Sequence, residues 1–597
     1  MEAIRQTDAG AGGGGDAPSV RGAGRLAGAA LAVAAILFAI PAAKPLLLDN
    51  MDFPAVARAT AETGLPIYYR GEESPRHSGL YHPPLYIYLL AAWFRLWGFG
   101  EAQARLFGFF CALLHGSLVL AAARILLGPR LAARAGPWFW AVFLLNPFTL
   151  QGAAVADIDT TVYGPLLVAT LAAALRLTWT DGEQRTQPVR RAELAGLAIL
   201  TALCFWAKLT TVVSVIPVIL LLLAGHGGWR RALRQGGTAV AAGGLLFLAS
   251  YGLYGRVTGQ DIGYTFHFLH LSLSQRSGQT GGIGWLAAHW ETLRQMALWQ
   301  GLWTGLVPWA VALATLFWMI GPGRRQSGDA ARDGALVLAW ALFVAGFYCF
   351  LTYTFGKAPF KYVYPAWGVI CASVAIWLSL AWERLTNDPA RRWAVGAASA
   401  VAAACFVISG RFLRDRAILA WRAEAADLAL LAIPAAGALA GLVLWRRRTG
   451  PRVYFGSSMA WLGAMLGLAL AMARASYSTT YNYGQDGFEQ TVCFIEQHTR
   501  PDEFILSMKD VGFRTGRRYF ENYVYIYGGE PGAAAADRLL GEGRIRFAIF
   551  TEGNGADLLG TNPALERAIH GRCALIQSYG HYRIYDCGRR GTPSQAP

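Results

Sequence analysis

The sequence predicts a polytopic α-helical membrane protein that ends in a small extracytoplasmic α/β domain. Three observations carry that reading. Of 597 residues, 54% are hydrophobic and only 15% are charged, where a soluble protein carries about 25% charged residues. The apolar residues gather into runs close to the length a bilayer demands, about 20 residues for a helix. From about residue 478 the runs stop, and short strand-like segments alternate with helical ones.

Residues 1–23 are polar and rich in Gly and Ala, which reads as a disordered cytoplasmic tail. The run from Leu26 to Leu48 is too long for a signal-peptide core and has no convincing cleavage site, so it reads as a retained first helix. Further runs lie near 103–127, 136–151, 158–178, 192–207, 209–225, 236–255, 301–320, 333–353, 361–382, 393–410, 428–445 and 457–474. The expected total is thus about thirteen transmembrane helices.

Charge sets the expected orientation. With Arg21 and Arg25 inside, the inside loops are "GPRLAAR", "RTQPVRR", "GGWRRALRQ", "GPGRRQSGDAARD", "ERLTNDPARR" and "WRRRTGPR". All are basic, as the positive-inside rule requires; "GRFLRDRAILAWR" (410–422) is basic yet falls outside. The net charge of +16 is therefore explained by cytoplasmic loops, and nucleic-acid binding is excluded as a reading. An odd number of spans places the N-terminus in the cytoplasm and the C-terminal domain outside the inner membrane. The expected organisation is a transmembrane domain over 24–475, with its first outer loop at 49–102, and an outer α/β domain over 476–597.

In that last domain "EFILSM", "FAIFTE" and "CALIQSYGHYRIYDC" read as strands, and "GFEQTVCFIEQHT" and "AAAADRLLGEG" as helices. Cys573 and Cys587 form a disulfide if the domain faces an oxidising compartment, and are free thiols otherwise. The cysteines in the apolar runs read as small buried hydrophobes.

Ionisable groups in or beside membrane spans are costly and mark candidate sites. The topology puts Asp49, Asp52, Asp157, Asp159, Lys208, Lys357 and Lys361 at one face, the outer one. Most of the positive charge in this chain is Arg, so three lysines sharing a face stand out. Lysines there can clamp a lipid phosphate as point charges. A carboxylate can take the proton of an attacking hydroxyl. Each group also has a plainer reading. The aspartates can cap the following helices, Lys208 can snorkel, and Lys357 and Lys361 can anchor an interface. His267 and His270, at i and i+3, lack a third metal ligand and read as interface packing.

The outer loop runs from "LLLDNMDFPAVARATAETGLP" to "YHPPLYIYLLAAWFRLWGFGEAQARLFG". It resembles the first periplasmic loop of the protein O-mannosyltransferase superfamily, which includes the lipid A aminoarabinose transferase. The resemblance implies a C-type glycosyltransferase fold. It also implies that 85–98, led by His82-Pro83-Pro84-Leu85, is an interfacial helix and not a span. By position, Asp49 matches the family's catalytic acid, eight residues before Ala57–Arg58, with Asp52 as the alternative. The family often has Glu after that acid; this chain has Asn50. Asp159 matches the acid at the start of the fourth span, with Asp157 as its rival. Lys208 matches the lysine that contacts lipid phosphate. "KAPFKYVYP" matches the late basic segment without choosing between Lys357 and Lys361.

The expected function is transfer of a sugar from a polyprenyl-phosphate donor to a hydroxyl of a lipid, glycan or protein acceptor, with inversion. The expected site is Asp49 as base, with Asp159, Lys208, Lys357, Lys361 and His82 binding substrate. No cofactor is predicted, and a requirement for a divalent metal is left open. The alternative is a transporter or flippase of lipid-linked saccharides, for which inverted repeats and midplane helix breaks would be expected.

Overall fold

A computed structural model of the chain describes residues 20–42, 46, 51–66, 82–185, 187–266, 269–270, 301, 303–320, 328–353, 360–386, 388–419, 425–475, 487–522, 525, 529–552 and 559–588. Asp49, Lys357, His267 and most of the 1–23 tail lie outside the described residues.

Helices follow the predicted runs in order. They begin with α1 (Val20–Ala42) and two short helices of the 49–102 segment, α2 (Asp52–Thr63) and α3 (Leu85–Trp97). Next come α4 (Glu101–Leu127), α5 (Pro129–Leu144), α6 (Pro147–Ala154), α7 (Gly164–Arg176), α8 (Arg191–Ala207), α9 (Thr211–Ser214), α10 (Ile216–Arg231) and α11 (Thr238–Thr258). The bundle continues with α12 (Val307–Ile320), α13 (Gly328–Tyr353), α14 (Phe360–Thr386), α15 (Arg391–Leu419), α16 (Ala425–Val443) and α17 (Thr449–Ala475). Among the described residues, Glu101–Leu127, Thr211–Thr258, Lys361–Thr386, Arg391–Ser409 and Thr449–Ala471 are long and apolar enough to cross a membrane. Others, such as Val307–Ile320, are apolar but shorter.

Two local features differ from the sequence reading. The run at 136–151 is two helices, because Asn146 caps α6 by accepting from the Phe148 N–H at 2.9 Å, and Pro147 takes the first helical position. The basic stretch expected as a loop after 225 stays helical. It is broken only at Gly228 (φ +70°), then continues through a π-turn at Ala232–Gly237.

By their contacts the residues divide into two compact units. The first holds Met1–Lys44, Arg105–Leu253 and Phe268–Thr479. Its α15 and α17 pack backbone to backbone. A Cβ on Gly463 would meet the Ala402 carbonyl oxygen at 2.1 Å, and one on Gly467 the Phe406 carbonyl oxygen at 2.2 Å. The Ser409 hydroxyl donates across the same contact to the Ala464 carbonyl at 2.7 Å. Glycines four apart on one helix and close backbone approach are how apolar helices associate where lipid removes the hydrophobic drive.

The second unit joins Pro45–Ala104 and Tyr254–His267 to Thr480–Pro597. The 49–102 loop thus groups with the C-terminal segment, where the sequence reading placed it in the 24–475 domain. Arg58 of α2 donates to the Phe513 carbonyl, Lys509 pairs with Asp52, and Arg514 pairs with Glu101 at 3.0 Å. These partners are more than 400 residues apart, so no local pattern announces them.

The small hairpin β1 (Trp179–Thr180) and β2 (Glu183–Gln184) belongs to the first unit. The second unit contains β3 (Phe504–Ser507), β4 (Arg518–Glu521), β5 (Ile545–Thr551), β6 (Ala574–Tyr579) and β7 (Tyr582–Asp586), in the order β4-β3-β5-β7-β6. Strand β3 runs parallel to β4 and β5, while β7 is antiparallel to β5 and β6. Helices α18 (Phe488–His498), α19 (Lys509–Thr515), α20 (Gly529–Gly541) and α21 (Pro563–Arg572) complete it. Leu506, Ala548 and Phe550 pack with Leu540 and Ile569, while Ile505, Phe547 and Ile549 pack with Ile495 and Val511. Both faces are covered, which explains why β5 reads as an almost unbroken apolar run. Cys573 and Cys587 are joined in a disulfide across the β6–β7 hairpin.

Candidate active site

Four of the charged residues singled out in the sequence, Asp157, Asp159, Lys208 and Lys361, converge at the start of α7. The chain leaves α6 at Ala154 and turns through Ala156, whose φ of +53° is unusual for a residue with a Cβ. Such a conformation costs about 1–3 kcal/mol and persists only where surrounding structure enforces it. Arg105, 1% exposed, supports the turn by donating from Nε to the Ala154 carbonyl at 3.2 Å. Gly108 lets α4 approach α6, since a Cβ there would meet the Ala153 carbonyl oxygen at 2.1 Å.

After the turn the backbone forms a π-helical segment, Asp159–Tyr163, in which the Tyr163 N–H reaches the Ile158 carbonyl at 3.0 Å. Single π-turns inside membrane helices are often found at functional sites. The segment also folds Asp157 onto its own helix. Its Oδ1 accepts from the Asp159 backbone N–H at 3.0 Å, and its carbonyl accepts from the Thr161 hydroxyl at 2.6 Å.

Two lysines from other helices meet these carboxylates. Lys208 follows α8 in extended conformation (φ −159°, ψ 131°), where that helix ends before α9. Its carbonyl accepts from the Thr211 hydroxyl at 2.7 Å. Its ammonium donates to both oxygens of Asp159, at 2.6 and 2.7 Å. Lys361, in the first turn of α14, donates to Asp157 Oδ2 at 2.7 Å. The Lys208 side chain is 5% exposed and the Lys361 side chain 17%. The two ammoniums share one aromatic ring: Lys208 Nζ lies 4.7 Å and Lys361 Nζ 5.3 Å from the centre of Tyr362. The ring of Tyr163 also lies near Lys208, 5.7 Å from its Nζ, and the Tyr163 hydroxyl donates to the Ser214 hydroxyl at 3.1 Å.

Among the described residues, two carboxylates and two ammoniums thus pair in one buried cluster. Burying four charges is tolerable only with such mutual pairing. Its chemical capacity lies in the lysines, which can be shared with an incoming anion, because an ammonium has three donors and no fixed plane. Sequence reasoning named all four charged residues but treated Asp157 and Asp159 as rivals. The structure uses both, one for each lysine. It missed Tyr163 and Tyr362. Their signals were faint: Tyr163 falls four residues after Asp159, and Tyr362 is adjacent to Lys361.

The remaining candidates lie in the second unit or outside the description. Asp52 opens α2 and pairs with Lys509. His82 is half-buried just before α3. Helix α3 is 13 residues long, about 20 Å at 1.5 Å per residue, too short for a bilayer core of about 30 Å. It buries Tyr86, Ile87, Leu90, Ala91 and Phe94 while leaving Leu89, Leu96 and Trp97 exposed. Among the described residues, no three His, Cys, Asp or Glu side chains are grouped to hold a metal ion.

The fold is similar to that of solved C-type glycosyltransferase structures. ArnT from Cupriavidus metallidurans bound to undecaprenyl phosphate superposes with a TM-score of 0.56 at 17% identity, covering 95% of this chain and 98% of that one. The apo state of the same protein gives 0.55 at 16% identity, covering 94% and 97%. The archaeal oligosaccharyltransferase AglB from Archaeoglobus fulgidus, in complex with an inhibitory peptide and a dolichol-phosphate, gives 0.45 at 12% identity, covering 95% and 75%. In sequence, residues 81–254 match the family profile described as dolichyl-phosphate-mannose-protein mannosyltransferase. The resemblance that the 49–102 loop carries, to the protein O-mannosyltransferase superfamily, therefore extends through the segment holding Asp157, Asp159 and Lys208. No curated protein matches the chain in sequence.

Proposed function

We propose that the chain is an inverting glycosyltransferase of the inner membrane, with its N-terminus cytoplasmic and its C-terminal domain extracytoplasmic. It moves a sugar from a polyprenyl-phosphate donor to a hydroxyl of a lipid, glycan or protein acceptor at the outer face. The observation that supports this most is the pairing of Asp157 with Lys361 and of Asp159 with Lys208 in one buried cluster.

In this reading the acceptor oxygen attacks the anomeric carbon as the bond from that carbon to the phosphate oxygen breaks. Asp49 takes the hydroxyl proton. Negative charge grows on the departing polyprenyl phosphate, and fixed cations stabilise it. Lys361 is the better exposed ammonium and is assigned the first contact with phosphate, with Lys357 nearby in sequence. Lys208, locked by Asp159, lends its charge from behind. The engagement of Asp52 with Lys509 favours Asp49 over Asp52 as base. His82 is assigned to the substrate side of the loop.

The test supplies membranes with radiolabelled polyprenyl-phosphate sugars and follows label leaving the lipid. Asp49→Asn is expected to abolish transfer, and Lys361→Met to lower it by roughly 10²–10³-fold. Full transfer by Asp49→Asn would remove Asp49 as the base. Label that crosses the bilayer on its lipid in wild type and in Asp49→Asn alike, without transfer, would instead support a flippase.

A further inference from the structure

A cavity of about 130 Å³ lies within the first unit, between α4, α7, α12, α13 and α14. Leu126, Leu175, Val337, Leu338 and Ile376 are among its walls. The two hydroxyls in the lining are already used. Thr315 donates to the Val311 carbonyl at 2.6 Å and accepts from the Trp377 indole at 2.9 Å, and Ser373 donates to the Ile370 carbonyl at 2.7 Å. Both hydroxyl protons are thus committed and the rest of the lining is almost wholly apolar, so a polar ligand would be desolvated there with little in return. Trp318, one of the lining residues, is 46% exposed, so this wall of the cavity also forms part of the outer surface of the bundle. Around an apolar bundle that surface meets hydrocarbon.

Position along the helices narrows the occupant. Helix α14 carries Lys361 at its start and lines the cavity from Val369 to Leu380. At 1.5 Å per residue the cavity lies roughly 12–28 Å along the helix from Lys361. The chain of α7 begins beside Asp159 and lines the cavity at Leu171 and Leu175, roughly 18–24 Å away. The two segments that carry the charged cluster at one end thus wall the cavity nearer the other. Half of the bilayer core is about 15 Å. A phospholipid tail whose headgroup sits at the level of the cluster covers only that half, whereas a polyprenyl chain is longer.

We infer that this cavity receives the distal isoprenyl units of the donor lipid whose phosphate meets the lysine cluster, and so makes the protein select long polyprenyl chains. The inference rests on the donor class proposed above. The gain on filling is packing: walls facing a void have lost their dispersion partners, and a branched chain restores them.

The test measures binding of two sugar-free probes to the full chain in nanodiscs. One is a full-length polyprenyl phosphate, and the other is the same phosphate cut to its first few isoprene units. Ala372→Phe on α14 and Gly334→Leu on α13 fill the cavity from different helices; around a Cβ at Gly334 the nearest atom is the end of the flexible Met319, at 3.4 Å. Both variants are expected to bind the long chain several-fold more weakly, close to the affinity for the short one, and to bind the short chain as wild type does. Equal losses for both probes, or no loss in either variant, would overturn the inference. Loss of a co-purifying phospholipid with unchanged preference for the long probe would overturn it too, by giving the cavity to an inner-leaflet lipid. If neither probe binds wild type, the donor class fails and the inference goes with it, whereas equal binding of both probes to wild type sinks only the inference.

Discussion

Lys208 grips both oxygens of Asp159, at 2.6 and 2.7 Å, and neither side chain is more than 5% exposed. Removing one partner leaves a bare charge among apolar helices. Lys208→Met is therefore expected to cost about 3–5 kcal/mol of stability, seen as a lowered melting midpoint of the purified protein. Removing both charges, Lys208→Met with Asp159→Leu, should recover most of that loss, because the desolvation cost goes with the pair. Transfer should stay lost in the double variant. A double variant as unstable as the single one would mean that the pair contributes net stability, and that reading of the cluster would fail.

The pairing of these residues shows what the sequence could and could not tell. Lys208, Lys361, Asp157 and Asp159 were legible because charge is scarce in apolar runs and each such residue stands out. Which carboxylate met which lysine was not legible, since it depends on the left-handed turn at Ala156 and the π-segment after it, and neither has a local signature. The break at Asn146-Pro147 was legible in principle as a cap followed by a proline, but the apolar run around it hid the signal. In the C-terminal segment the apolar strands β3 and β5 and the hairpin β6–β7 were readable from pattern. Strand β4, "RYFE", is as short as β3 but has a charge at each end and so did not stand out, and α19 and α21 lie in polar stretches without a clear period. The ties from α2 to Phe513 and Lys509 span most of the chain and leave no trace in either segment alone.

The contact of α15 with α17 depends on two glycines. Because a Cβ on Gly463 or Gly467 would meet backbone and not a movable side chain, the helices must separate to admit one. Gly463→Leu and Gly467→Leu are expected to destabilise the protein by about 1–3 kcal/mol each, as overpacking does. Gly456, on the same helix, has nothing within 4 Å of a built Cβ. Gly456→Ala should leave the melting midpoint unchanged or raise it slightly. Equal effects at the three positions would show that helix propensity, and not close approach, governs α17.

Tyr582 makes the C-terminal domain sensitive to alkali. It lies on β7, 1% exposed, with its ring 6.0 Å from Phe488. Burial, and then the nearby Asp510 charge, hold its phenol well above the ordinary tyrosine value. The unfolded chain would ionise it near the usual value of about 10, while the folded chain keeps the proton. Above that pH the unfolded state binds fewer protons than the folded one, so stability is intact below about 10 and falls as pH rises, by about 1.4 kcal/mol per pH unit, until the folded phenol ionises too. Tyr582→Phe keeps the ring and removes the titration. Amide exchange at β5 and β7 in the full chain, with variant and wild type compared at each pH, reads the difference directly. Protection in wild type should fall more steeply than in Tyr582→Phe once the pH passes about 10, and parallel curves would mean that the buried phenol is not the group that alkali attacks.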